Sequence, residues 1–200
     1  MRVLCVGLPA SIHLVRTVDV LTDLGADVHV FPSAAGGWHP GFRRCTLHTI
    51  RHRHPVPDLD DSVTIVEHVM PMEIGWKIGS RAEVLAAVVD TIVPDLIQAY
   101  EMQHAGYLAL TARARQRLRP PWAVSLWGSD IWLFRHDPSH LDLIVAVLRE
   151  ADGLWVESVR DLDLAVRHGF RGTALPVVPA AGGHDLRAAA ARRTPGPPSS

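Results

Sequence analysis

The chain has 200 residues, of which 48% are hydrophobic and 20% charged, enough to bury one core and too few for two full domains. Twenty Lys and Arg against 21 Asp and Glu leave a formal net charge of -1, which excludes the global positive field that drives non-specific binding to nucleic acid or anionic lipid. Cys5 and Cys45 are the only cysteines; they are too few to staple a secreted scaffold or build a four-thiolate zinc site, and they fit a reducing, cytoplasmic setting.

The opening Met1 to Gly7 carries one positive charge and a short apolar run broken by Gly7 and Pro9, unlike a signal peptide. No apolar stretch reaches the roughly 20 residues that span a bilayer, so the chain is expected to be soluble or at most peripheral at the inner face of a membrane. Val3 to Val6 predicts a strand, Leu14, Val18 and Leu21 a helix that stops at Gly25, and Asp27 to Phe31 a second strand, together one βαβ unit. Cys45 to Ile50 and Val63 to Glu67 predict two further strands, separated by a stretch whose Pro55 and Pro57 cannot be central sheet. Trp76 to Val93 reads as a helix ended by Pro94. The cycle then repeats with strand Leu96 to Ala99, a helix from Ala105 to Leu118, Pro120-Pro121 as breakers, and strand Ala123 to Trp127.

Asp137-Pro138 is a helix start, with Asp as the cap and Pro at the first helical position, and Asp152-Gly153 ends that helix. Strand Leu154 to Glu157 follows. Ser158 with Asp161 forms a capping box for a helix that stops at Gly169, and Ala174 to Val178 is the last predicted strand. Residues 180–200, rich in Ala, Arg, Gly and Pro, offer almost nothing to bury and read as a linker or disordered tail after one domain spanning residues 1–179. Alternating strands and helices, with strands apolar on both faces, predict an α/β fold: a doubly wound, mostly parallel Rossmann-like sheet with helices on both faces. Ligands in such a fold sit beyond the carboxyl ends of the strands, which makes the loops after each strand the candidate site.

The loop Gly7-Leu8-Pro9-Ala10-Ser11-Ile12-His13 joins a strand to a helix start, where backbone N–H groups can cradle a phosphate and Ser11 can cap the helix. It has neither the GxGxxG spacing of a dinucleotide fingerprint nor that of a P-loop. After the strand ending at Ala99, Glu101 and His104 are an acid, base or hydroxyl-binding pair, with a solvated helix cap as the structural alternative. Trp127-Gly128-Ser129-Asp130-Ile131-Trp132 is the densest chemistry: Gly128 admits close backbone approach, Asp130 can accept from sugar hydroxyls or cap a helix, and the tryptophans can stack on a ring. Glu157 and Ser158 follow the next strand, Ser158 as a cap. His48, His52 and His54 invite a metal reading, but no Cys or carboxylate completes a ligand set before Asp58. Trp127 stands where a GxSxG elbow around Ser129 would need its first glycine, so a hydrolase of that type is unsupported.

Val3 to Gly7 with His13-Leu14-Val15-Arg16, Leu24 to Val30, Pro94 to Tyr100, Ser125 to Ile131, and Ala151 to Leu154 with Glu157-Ser158 together resemble the amino-terminal domain of family 4 glycosyltransferases of the GT-B fold. Pro179 to Asp185 resembles the crossing to that family's second domain, so the likeness covers residues 2 to 185. The resemblance implies retaining transfer of a sugar from a nucleotide-sugar donor to a hydroxyl acceptor, without metal and with no cofactor beyond the nucleotide-sugar co-substrate. It assigns acceptor binding to this half and donor binding to a second domain, in the same chain or in a partner subunit. Glu101, His104 and Asp130 are the expected catalytic residues. Gly7, Pro9, Ser11, His13, Trp127, Gly128, Ser129 and Glu157 are expected to line the substrates. Many family members carry His where this chain has Trp127, so no role of that His transfers. Two alternatives stand beside this reading: a subunit of a split two-chain glycosyltransferase, and a non-catalytic carbohydrate- or nucleotide-binding module.

Overall fold

Val3, Leu4, Cys5 and Val6 are all buried, and four consecutive apolar residues can be buried only in a strand covered on both faces. In the computed structural model, which describes residues 1–51, 53–69 and 78–179, this run is β1 (Arg2–Gly7) at the middle of a parallel sheet. Around it lie β2 (Asp27–Pro32), β3 (Thr46–Ile50), β4 (Thr64–His68), β5 (Leu96–Tyr100), β6 (Trp122–Leu126), β7 (Gly153–Val156) and β8 (Thr173–Ala174). Their order across the sheet is β4-β3-β2-β1-β5-β6-β7-β8. The helices are α1 (Ile12–Asp23), α2 (Ile78–Ile92), α3 (Tyr107–Arg113), α4 (Pro138–Glu150) and α5 (Val159–Arg167).

Right-handed crossovers put helices on opposite faces when the chain winds outward in opposite directions from one central strand. Accordingly α1 covers one face, packing Leu14, Val15 and Val18 with Val3, Cys5, Val28 and Val30, and with Trp38 and Phe42 from the loop after β2. Helices α2, α3 and α4 cover the other, where Leu85, Leu108 and Val147 join Leu4, Val6, Val124 and Leu126. The order reverses between β1 and β5, so the connections leaving these two strands diverge and open a crevice at their carboxyl ends.

Several predicted boundaries hold for stated reasons. Asp137 caps α4 by accepting from Ser139 N at 2.9 Å with Pro138 at the first helical position, and Ser158 caps α5 by accepting from Asp161 N. Two predicted elements are shorter than expected. The helix expected over 105–118 is a π-helical turn (Met102–Gly106) followed by α3, which ends at Arg113. The Asp90 carboxylate of α2 accepts from the backbone N–H of Arg117 and Leu118 and holds that segment out of a helix. The last strand keeps only Thr173–Ala174, although Leu175 N still donates to Leu154 O at 2.8 Å and Val178 N to Val156 O at 3.3 Å beyond it. The expected tail at 180–200 lies outside the described residues, as does the start of the predicted helix at Trp76.

Leu4 is fully buried in the central strand, whereas Val66 lies partly exposed on the edge strand β4. Leu4→Ala is expected to cost about 2–5 kcal/mol of unfolding free energy, and Val66→Ala less than about 1 kcal/mol, both read from urea midpoints.

Candidate functional site

At the end of β1, a Cβ on Gly7 would stand 3.0 Å from Leu14 Cδ2 and 3.4 Å from Tyr100 Cβ. The absence of a side chain is what lets the loop turn tightly between α1 and β5. Ser11 caps α1, its Oγ accepting from Leu14 N at 3.4 Å, and the Pro9 carbonyl accepts from His39 N at 2.9 Å. The first turn of α1 therefore begins a few residues beyond the carboxyl end of β1. Its His13 ring meets Trp127 edge-on, 5.6 Å between centroids, which joins the loops after β1 and β6.

Beside it, at the end of β5, Glu101 has a φ of 74°, a left-handed conformation that costs a non-glycine residue about 1–3 kcal/mol and persists only when its surroundings impose it. Here they do. The Glu101 carboxylate accepts from His104 N at 3.0 Å and Ala105 N at 2.7 Å, capping the π-helical turn, while Glu101 N donates to Ser125 O. The same carboxylate lies 3.2 Å from His104 Nδ1. Glu101 is thus buried, and its imidazole partner is 55% exposed at the rim. The hydrogen bond to Glu101 raises the His104 pKa above the ordinary histidine value, against a smaller opposing effect of burial.

Asp130 is only 5% exposed. Its Oδ2 accepts from Trp127 N at 2.9 Å and from Met102 N at 3.1 Å, and its carbonyl accepts from Gln103 Nε2 at 2.8 Å. One residue thereby bolts the loop after β6 to the loop after β5. Burial pushes its carboxyl pKa up to about 7, opposed by the Trp127 N–H and reinforced by Glu101 and Glu157.

Gly128 and Ser129 are exposed on the rim. Gly128 N donates to Glu157 Oε2 at 3.2 Å, and its carbonyl accepts from Arg160 Nη2 at 3.0 Å. Arg160 is in turn fixed by the fully buried Asp161 (Nε to Oδ1, 2.9 Å) and lies over the Trp132 ring, with Arg135 also over that ring at 4.3 Å. Arg160 and its stack on Trp132 escaped the sequence reading, because residues 28 or more apart meet only through the sheet; the Ser158 and Asp161 spacing was the one available signal. The histidines divide differently from their spacing. His54 bonds Ala34 O and Ile50 N, His52 lies outside the described residues, and His48 pairs with neighbours on adjacent strands. Among the described residues no three His, Cys, Asp or Glu side chains are arranged to hold a metal ion.

A doubly wound parallel sheet of this strand order, with its crevice at the switch point, is a Rossmann-like domain with the fold of one half of a GT-B protein. The chain belongs to the glycosyl transferase 4-like family, whose model matches residues 2–158. A structure of sucrose-phosphate synthase from Thermosynechococcus elongatus superposes with a TM-score of 0.59 at 15% identity, covering 96% of this chain and 94% of that one. A structure described as a UDP-N-acetylglucosamine 2-epimerase from Listeria monocytogenes gives 0.55 at 14% identity, over 87% of this chain and 44% of the other. A lipopolysaccharide outer core galactosyltransferase gives 0.53 at 8% identity, over 89% and 45%. The chain thus spans less than half the length of the last two, and these identities speak to fold alone. No curated protein matches it in sequence. No helix among the described residues is long and apolar enough to cross a membrane.

The two roles open to Asp130 separate by substitution. Asp130→Ala strands two buried N–H groups and is expected to cost about 2 kcal/mol or more, whereas Asp130→Asn keeps an acceptor oxygen and is expected to cost less than about 1 kcal/mol at pH 7. Because the folded-state pKa is raised to about 7, the wild type's stability relative to Asp130→Asn is fully present below the ordinary carboxylate range and falls as pH rises through about 7. Urea midpoints of the three proteins across that range check both statements.

Proposed function

We propose that residues 1–179 form the acceptor-side half of a retaining, nucleotide-sugar-dependent hexosyltransferase, with donor binding supplied by a second domain of the same chain or by a partner subunit. The observation that carries this reading is the Glu101–His104 pair: a strained, buried carboxylate presents an imidazole of raised proton affinity just past the end of β5, the strand that pairs with β1. Membership of the glycosyl transferase 4-like family supplies the reaction class and the two substrates, a nucleotide-sugar donor and an acceptor.

In this reading the residues divide by what they face. Gly7, Pro9, Ser11 and His13 line the donor-phosphate side, where the first N–H groups of α1 can receive an anion. His104 contacts a reacting hydroxyl or the departing phosphate, since its exposed ring can donate or accept a proton while Glu101 fixes its orientation. Glu101 and Asp130 act as positioning residues, because their carboxylates already hold backbone N–H groups. Trp127, Gly128, Ser129 and Glu157 form the acceptor floor, with the Trp127 ring edge against His13. Transfer with retention can use a donor phosphate oxygen as the base, so no nucleophile is assigned to this chain.

The test is transfer by the native protein together with whatever chain or subunit carries its donor half. Supplied with nucleoside diphosphate sugars and a cell extract as acceptor source, it is expected to release nucleoside diphosphate and to give a product of retained anomeric configuration. His104→Ala is expected to lower kcat about 100-fold or more with an unchanged unfolding midpoint. Wild-type turnover in His104→Ala would remove His104 from the chemistry. Sugar-nucleotide binding without any transfer would replace the enzyme reading by that of a binding module.

A further inference from the structure

Away from the crevice, three imidazoles from three neighbouring strands form a ladder. His29 Nδ1 lies 3.0 Å from His48 Nε2, and His48 Nδ1 lies 2.9 Å from His68 Nε2. The rings stack with centroids 5.2 Å apart in both pairs. At its inner end His29 Nε2 lies 3.5 Å from Asp27 Oδ1, and Asp27 is itself bonded to Arg2 at 2.7 Å. His29 and His48 alternate with the residues that pack on α1, so the ladder runs across the face that α2 covers, toward the edge strand β4.

The anchoring carboxylate fixes every proton. Arg2 holds the Asp27 pKa below the usual carboxylate value, so Asp27 is charged and can only accept, and His29 Nε2 carries its hydrogen. Neutral His29 then has a lone pair on Nδ1, which takes the hydrogen of His48 Nε2; His48 Nδ1 in turn takes the hydrogen of His68 Nε2. The one lone pair left over is on His68 Nδ1. Burial lowers the proton affinity of all three rings, that of His48 to about 3.

One added proton can be accommodated. Entering at His68 Nδ1, it lets the Nε2 hydrogen of His68 pass to His48 Nδ1 and that of His48 Nε2 pass to His29 Nδ1. His29 becomes an imidazolium facing Asp27, and each N···N bond survives with its direction reversed. A second proton has no free lone pair: wherever it binds, two N–H groups face each other and a rung breaks. We propose that the Asp27–His29–His48–His68 ladder is a clasp that fastens edge strand β4 to the sheet, holding with no proton or one and opening on the second. Among the described residues the charged groups acting on it are Asp27 and Arg2 at the inner end, and the rings on one another, with none from α2. At the outer end Arg51 N donates to His68 O, while the Arg51 and Glu67 side chains pair with each other. Because folding lowers the three proton affinities, the stabilisation by the clasp is present above the ordinary histidine range and is lost as pH falls through the lowered values.

Amide hydrogen exchange of the whole chain reads the clasp directly, as protection factors corrected for intrinsic rates. Between pH 7 and pH 4, protection of the β4 amides that bond to β3 is expected to fall about tenfold or more while β1 protection holds. His48→Gln is expected to abolish the difference between the two strands. His68→Gln, a change at a half-buried edge position, keeps an N–H donor toward His48 but cannot take the entering proton, and is expected to make the dependence shallower by about one proton. Loss of β4 and β1 protection together, or a wild-type pH profile in the variants, would overturn the proposal.

Discussion

The placement of β1 governs the molecule. A strand apolar on both faces must be central, and a chain that winds outward from it in both directions with right-handed crossovers must split its helices between two faces and part its loops at one rim. From that constraint follow α1 on one side, α2 to α4 on the other, and the crevice between the loops that leave β1 and β5. The chemistry-bearing residues occupy that rim because every strand in a parallel sheet ends there.

Within the rim, buried carboxylates work mainly as bolts. Glu101 holds the turn that carries His104, Asp130 joins two loops, and Asp161 fixes the arginine that holds the Gly128 carbonyl. Each accepts from neighbouring N–H or guanidinium groups, which is how a buried carboxylate is sustained at tolerable cost. What remains turned outward is small and specific: the His104 ring, the first turn of α1, the Trp127 edge and the exposed Gly128–Ser129 backbone. Such an arrangement trades local strain, visible in the left-handed Glu101, for a side chain held in one orientation before any ligand arrives.

The architecture was legible because its signals are local. The Val3 to Val6 run, the Asp137-Pro138 start and the Ser158 to Asp161 box each act within a few residues, and the loops after the strands followed from topology. Side-chain direction was not legible. Asp130 has the composition of a sugar-hydroxyl acceptor, yet its Oδ2 is taken by N–H groups from its own loop and from Met102, far away in sequence. The histidine spacing suggested His48, His52 and His54, whereas sheet register joins His48 to His29 and His68. The π-helical turn follows from the backbone of a single residue, Glu101, which no periodicity announces.

The central claim is that ligand binds at the carboxyl rim of the switch point. Amide chemical-shift mapping on the isotope-labelled chain with its donor half present, titrated with nucleoside diphosphate sugars, tests it most directly. The shifts are expected to gather at Gly7 to His13 and at His104, the residues that face the donor phosphate. Shifts gathered at the opposite end of the strands, around Asp95 and Arg119, would contradict it.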